Sequence, residues 1–271
     1  MAATLSRRGR ITAFGAFLAF APPVSAEETA APAKAPATPD PPAPPAPLIL
    51  KKFAADVFDL DQFTLQIPID DDGDGISDVV KMPLLRNFED PAFFHIDKLG
   101  EAIVFRTRRG DARMEGVTHP RCEMRELKKG TEEPASWSTK NGQVHHFSTT
   151  LAFTRLPEDG APVTAVSVWG EQGEVLAVRH EKGKVVMSRM GMEPFVFEES
   201  YVVGTPFDFM ILLDKGRVRL LREMKPIAEW PLEAEGLHFR VGVVYEAEVP
   251  ESGAPKSTAE VTIWKLYLTH K

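Results

Sequence analysis

Apolar positions in this chain recur with a period of two over short stretches, and no stretch holds a 3.6-residue apolar period for three turns. Phe207-Asp208-Phe209-Met210-Ile211-Leu212-Leu213 alternates, Asp214-Lys215-Gly216 breaks it, and Arg217-Val218-Arg219-Leu220-Leu221 resumes, which predicts a hairpin about a glycine-containing turn. Residues 163–169, 175–180, 184–187, 238–246 and 261–268 predict further strands, bounded by Gly, Pro or charged residues. Many short strands without intervening helices predict an all-β domain, a sandwich or jelly roll of two antiparallel sheets. No internal repeat is present.

The pattern does not begin at the first residue. Arg7, Arg8 and Arg10 precede an apolar run over 11–21, and Val24-Ser25-Ala26 ends it with small residues. That arrangement predicts a secretory signal peptide over 1–26 and a secreted or periplasmic protein. The apolar run is too short to span a bilayer, and no later stretch predicts a transmembrane segment. Residues 27–48 are nearly all Ala, Pro, Thr, Lys and Glu, a composition that cannot bury a core and predicts an extended tether. The folded domain is therefore expected over 49–271.

Charge narrows the partners. The formal charge of −7 becomes −10 once the leader is removed, because the leader carries three arginines and no acid. An acidic balance speaks against nucleic acid and anionic membrane, but not against an acidic polysaccharide held in one basic cleft. Cys122 is the only cysteine, so export brings no internal disulfide, and it reads as a small buried apolar residue.

The segment His119-Pro120-Arg121-Cys122-Glu123-Met124-Arg125-Glu126-Leu127 closely resembles the R-[ST]-E-L-R signature of the alginate-lyase family of polysaccharide lyases, family seven. The resemblance extends across the domain. Residues 58–68 look like the family's opening strand, 93–96 and 102–106 like the next two, and Ala135-Ser136-Trp137-Ser138 like a segment these enzymes carry after the arginine signature. Residues 238–246 and 260–270 look like its last strands. The resemblance implies a β-jelly roll, a concanavalin-like sandwich of two curved antiparallel sheets, whose groove takes an anionic chain, with β-elimination as the reaction and no cofactor for catalysis; a monomer is expected. Arginine suits the task, since the uronate carboxylate must be neutralised before the C5 proton becomes acidic. A strand sends residues i, i+2 and i+4 to one face, so Arg121, Glu123 and Arg125 point together and Cys122 and Met124 point to the core. The bland alternative is a salt-bridged strand face.

Two family motifs are altered. Where the family has Q-[IV]-H, this chain has Ser167-Val168-Trp169. Where the family has Y-F-K-A-G-x-Y-x-Q, it has His238-Phe239-Arg240-Val241-Gly242-Val243-Val244-Tyr245-Glu246, with Val244 at the catalytic tyrosine's position. Tyr245 is one residue away, and only a bulge at Gly242 would return it to the groove. The resemblance thus offers Arg121 and Tyr245 as catalytic residues, with His238 or His180 as other proton acceptors, and Glu123, Arg125, Ser167, Trp169 and Arg240 as substrate-binding. Two readings stay open: a lyase acting on an acidic polysaccharide such as alginate, and a non-catalytic carbohydrate-binding protein on a lyase scaffold. Trp169 fits either, stacked on a sugar ring or packed beneath a loop.

The acidic run Asp70-Asp71-Asp72-Gly73-Asp74-Gly75-Ile76-Ser77-Asp78 has the alternating oxygens of a calcium loop. Asp70, Asp72, Asp74 and Asp78 are the expected ligands of a structural Ca2+. Lys81 stands where an EF-hand has glutamate and no helices flank the run, so an EF-hand is excluded; a solvated acidic turn is the alternative.

Overall fold

The computed structural model describes residues 51–247 and 257–271. The expected leader over 1–26 and the expected tether over 27–48 lie outside them. Among the described residues fifteen strands form in chain order: β1 (Phe63–Gln66), β2 (Val79–Val80), β3 (Phe94–Ile96), β4 (Ile103–Arg108), β5 (Arg121–Glu126), β6 (His145–Arg155), β7 (Val163–Gly170) and β8 (Gly173–Glu181). They continue with β9 (Lys184–Arg189), β10 (Met192–Glu198), β11 (Phe207–Asp214), β12 (Arg217–Arg222), β13 (Lys225–Pro231), β14 (His238–Tyr245) and β15 (Thr258–His270). Two short 3-10 turns, Ala54–Asp56 and Leu84–Asn87, are the helical elements among the described residues.

All pairings between these strands are antiparallel. One sheet runs β10-β9-β8-β7-β14-β5-β1-β2 and the other β13-β12-β11-β6-β15-β4-β3, which is the jelly-roll sandwich the alternation predicts. Phe239 of the first sheet stacks on Phe147 of the second at 5.0 Å, and Phe63, Phe105, Phe153 and Phe209 are buried with them. Fully burying each such ring contributes about 1.5–3 kcal/mol, so the space between the sheets is where stability resides.

The hairpin predicted at 214–216 closes more tightly than expected. Asp214 pairs with Arg217, leaving only Lys215 and Gly216 in the loop, with φ of 49° and 71°. Positive φ at both loop positions is the turn whose twist matches the flanking strands. The expected opening strand over 58–68 shortens to β1. Asp59 accepts the Asp61 amide and Leu60 the Phe63 amide, so the chain turns before it pairs. Strands β10 and β13 carry Pro194, Pro226 and Pro231, and both are the outer strands of their sheets, where a missing donor is tolerated.

Strand β5 lies inside the first sheet between β14 and β1, and the alternation along it is as predicted. Cys122 and Met124 are buried in the core. Burial pushes the Cys122 thiol far up, and its Sγ lies 3.4 Å from the Phe93 carbonyl, so it behaves as an apolar filler. Glu126 also faces inward, 1% exposed, and its carboxylate accepts from the Trp137 indole N–H (3.1 Å), the Phe239 amide (2.8 Å) and the His270 ring (2.6 Å). One carboxylate thereby ties β5, β14, β15 and the 135–138 segment together.

Candidate functional site

The outer face of the eight-stranded sheet carries a cleft of about 460 Å³. Register fixes its floor. Arg121 pairs with Val244, Glu123 with Gly242 and Arg125 with Arg240 across β5 and β14. On the other side of β14, Arg240 pairs with Ser167 and His238 with Trp169. Gly242 is required there: with φ of 152°, an added Cβ would sit 2.3 Å from the Cys122 carbonyl oxygen, so β14 can lie this close to β5 only without a side chain.

The charged groups converge on Glu123. Its Oε2 lies 3.2 Å from Nη1 of Arg121 and 3.5 Å from Nη1 of Arg240. Arg121 is 5% exposed and Glu123 4%. The salt-bridged alternative is therefore part of the answer, but it does not consume the arginines. Nε of Arg121 and Nε of Arg125 are buried without a hydrogen-bond partner among the described residues. Burying such charges costs several kcal/mol per ion before pairing, an arrangement that stability alone does not favour.

Ser167, Trp169 and Arg240 come together as expected, though not as free sugar contacts. The Arg240 guanidinium lies 4.4 Å over the Trp169 ring, and the indole N–H donates to Ser167 Oγ at 3.1 Å. One indole face is thus already covered by a cation.

Tyr245 is a correction. A bulge, the condition on which Tyr245 would return to the groove, does exist against β7, where the register shifts between Val241 and Val244. Against β5 the pairing runs unbroken from Arg240 to Val244, so the alternation is kept. Val244 lines the cleft, whereas Tyr245 is buried in the core with its hydroxyl donating to Asp159. Burial, then that bond, pushes the phenol up to about 12. His180 likewise packs inward, against Phe153 and Tyr201. His238 reaches the cleft face, but burial and the neighbouring Arg125 and Arg240 pull its ring down to about 4.

Further cleft residues were not anticipated as part of a site. Arg179 bridges the carboxylates of Glu174 and Glu246, the latter at 3.3 Å, and Thr164 donates to Glu246. Burial raises the Glu174 carboxyl, with Arg179 opposing it. Nothing in the spacing of these residues announces them; they meet because β8, β7 and β14 are neighbours. His119 also lines the cleft, directly before β5.

In the acidic loop the carboxylate oxygens of Asp70, Asp72 and Asp74 lie within 4.8 Å of one another. Asp78 is not in that group, and its Oδ2 accepts the Asp71 amide at 3.1 Å instead. Oδ1 of Asp70 is buried without a hydrogen-bond partner among the described residues.

Comparison with known proteins places this geometry. The family model described as alginate lyase matches residues 58–270. The solved alginate lyase AlgAT5 from polysaccharide lyase family 7 is 25% identical with a TM-score of 0.74, covering 81% of this chain and 99% of that one. The alginate lyase from Corynebacterium sp. is 22% identical with a TM-score of 0.74, over 82% and 99% of the two chains. The alginate lyase from Klebsiella pneumoniae is 19% identical with a TM-score of 0.62, over 80% and 98%. A search of curated proteins found no match. The match to the family model runs across nearly the whole described domain, and the chain belongs to the alginate lyase family.

Proposed function

We propose that this protein is an exported, monomeric polysaccharide lyase that cleaves an acidic, uronate-containing polysaccharide such as alginate by β-elimination. The observation that carries the reading is the buried Arg121, whose Nε–H has no hydrogen-bond partner among the described residues, on the floor of a cleft it shares with Arg240. A planar guanidinium with an unused donor suits a carboxylate, and a carboxylate so held has a more acidic α-proton. Arg121, Arg179 and Arg240 balance Glu123, Glu174 and Glu246 in the cleft lining, and Arg125, on the same face of β5, adds one positive charge beside it. Export rests on the arginines, apolar run and small residues over 7–26.

Incubation with alginate and with glucuronan, followed by the ultraviolet absorbance of the C4=C5-unsaturated product, tests the reaction. Calorimetry with the same oligomers against neutral cello-oligomers tests recognition. Arg121→Ala should weaken uronate binding about 10- to 100-fold, the equivalent of one lost hydrogen bond to a charged group. Binding without any unsaturated product would establish a carbohydrate-binding protein instead. Equal affinity for charged and neutral chains would overturn the reading altogether.

The acidic loop is proposed to hold a structural Ca2+ through Asp70, Asp72 and Asp74. The convergence of three carboxylates and the unpartnered Asp70 oxygen support it.

A further inference from the structure

Resting on the β-elimination reading, we infer that His119 is the proton-transfer residue of this cleft. The requirement is a neutral base facing the same space as Arg121, and the groups on that face can be taken in turn. Val244, at the strand position opposite Arg121, has no proton to move. Glu246 accepts from Thr164 and Arg179, Glu174 pairs with Arg179 and accepts from Ser188, and Glu123 faces Arg121 and Arg240. Each of these carboxylates is already engaged by a cationic or hydroxyl donor on the cleft floor. Nε2 of His238 already accepts Nε–H of Arg240 at 3.2 Å, while its Nδ1 lies 3.4 Å from the Gly236 carbonyl. Its lone pair is spent.

His119 differs on both counts. Its Nδ1 lies 3.1 Å from the Ala247 carbonyl oxygen, an acceptor only, so Nδ1 carries the hydrogen and Nε2 carries the lone pair. Nε2 has no hydrogen-bond partner among the described residues. The Tyr245 amide donates to the Pro120 carbonyl at 3.1 Å, which pins the chain between His119 and Arg121 to the end of β14. The imidazole is therefore an oriented base, held by a carbonyl on one nitrogen and open on the other, in the cleft that Arg121 lines. The step balances without a further reactant. Nε2 takes the C5 proton, the C5–H electrons form the C4=C5 bond, the C4–O4 bond breaks, and the imidazolium returns the proton to the departing oxygen.

His119→Asn is the discriminating variant, because its side-chain amide can still donate to the Ala247 carbonyl while the Nε2 lone pair is lost. We expect kcat on uronan to fall about 10²- to 10⁴-fold, with oligosaccharide affinity by calorimetry and the melting curve unchanged. In His119→Ala, added imidazole should restore part of the lost turnover, which a structural role would not permit. Wild-type kcat in His119→Asn would overturn the assignment while leaving the lyase reading intact. Absence of unsaturated product from the wild type would overturn both. A loss of activity with a lowered melting curve in both variants, unrelieved by imidazole, would assign His119 a structural role and also overturn it.

Discussion

Nε–H of Arg240 donates to Nε2 of His238 at 3.2 Å, and this bond holds the buried imidazole as a neutral acceptor. Burial first, then the charges of Arg125 and Arg240, pull the ring from 6.5 to about 4. Above pH 6.5 neither the folded nor the unfolded chain protonates this residue. Below it the unfolded chain takes up a proton that the folded one refuses, so stability falls until about pH 4 and then levels. The full difference is roughly 3 kcal/mol. Urea unfolding at pH 7 and pH 4.5 should show this loss in the wild type and a smaller one in His238→Gln. Equal pH dependence in the two proteins would refute it.

Glu123 is 4% exposed between Arg121 and Arg240. Removing it leaves two buried guanidinium groups facing each other, and breaking a buried pair costs about 3–5 kcal/mol. Glu123→Ala should therefore be destabilised on that order, measured by denaturant unfolding, and anionic oligosaccharide should recover part of the loss by linkage. A loss under 1 kcal/mol would show that the cleft floor is wetter than its burial implies.

Tyr245→Phe should keep full turnover, because the hydroxyl lies on the core side of β14 and donates to Asp159. The cost should appear in stability alone, about 1.5–3 kcal/mol for a hydrogen bond to a charged group. Steady-state kinetics beside a melting curve checks both halves. A collapse of kcat with an unchanged melting curve would return this residue to the reaction.

Calcium should raise the melting temperature and a chelator lower it, since an ion that binds only the folded state stabilises it. Asp72→Ala should abolish the shift, and Asp78→Ala should leave most of it, because Asp78 stands outside the three-carboxylate group. Identical curves with calcium and chelator would leave a solvated acidic turn.

The residues that the sequence made legible are those whose position follows from alternation alone. Arg121, Glu123 and Arg125 share a face because β5 is regular, and the same rule sends Tyr245 to the core, even with a bulge one strand away. What alternation does not report is which strands become neighbours. Glu174, Arg179 and Glu246 meet only through the β8-β7-β14 order, and nothing in their spacing anticipates it. Strand β6 escaped notice because Phe147, Leu151 and Phe153 are diluted by Ser, Thr and His, though it sits between β11 and β15 in the sheet. His119 lies before the strand begins, where no period operates. Its role rests on Ala247, 128 residues later.

Val244 gives the sharpest test of how the cleft works. It pairs with Arg121, lines the cleft, and occupies the position at which the family pattern places a tyrosine. A phenol built there would stand beside the Arg121 guanidinium, which favours the phenolate and makes it a usable base. The neighbouring space of about 460 Å³ accommodates the ring without entering the packed core. If His119 carries the proton in the wild type, the two positions serve one function from two walls of the cleft, and their effects must be non-additive. Val244→Tyr alone should change kcat little. In the His119→Asn background it should raise kcat on the order of 10²-fold, the lower end of what a placed acid–base group contributes. Single-turnover assays on the four proteins of this cycle, with binding measured separately, give the coupling directly. Failure of the double variant to exceed His119→Asn, with substrate still bound, would show that the scissile bond does not lie between Arg121 and Val244.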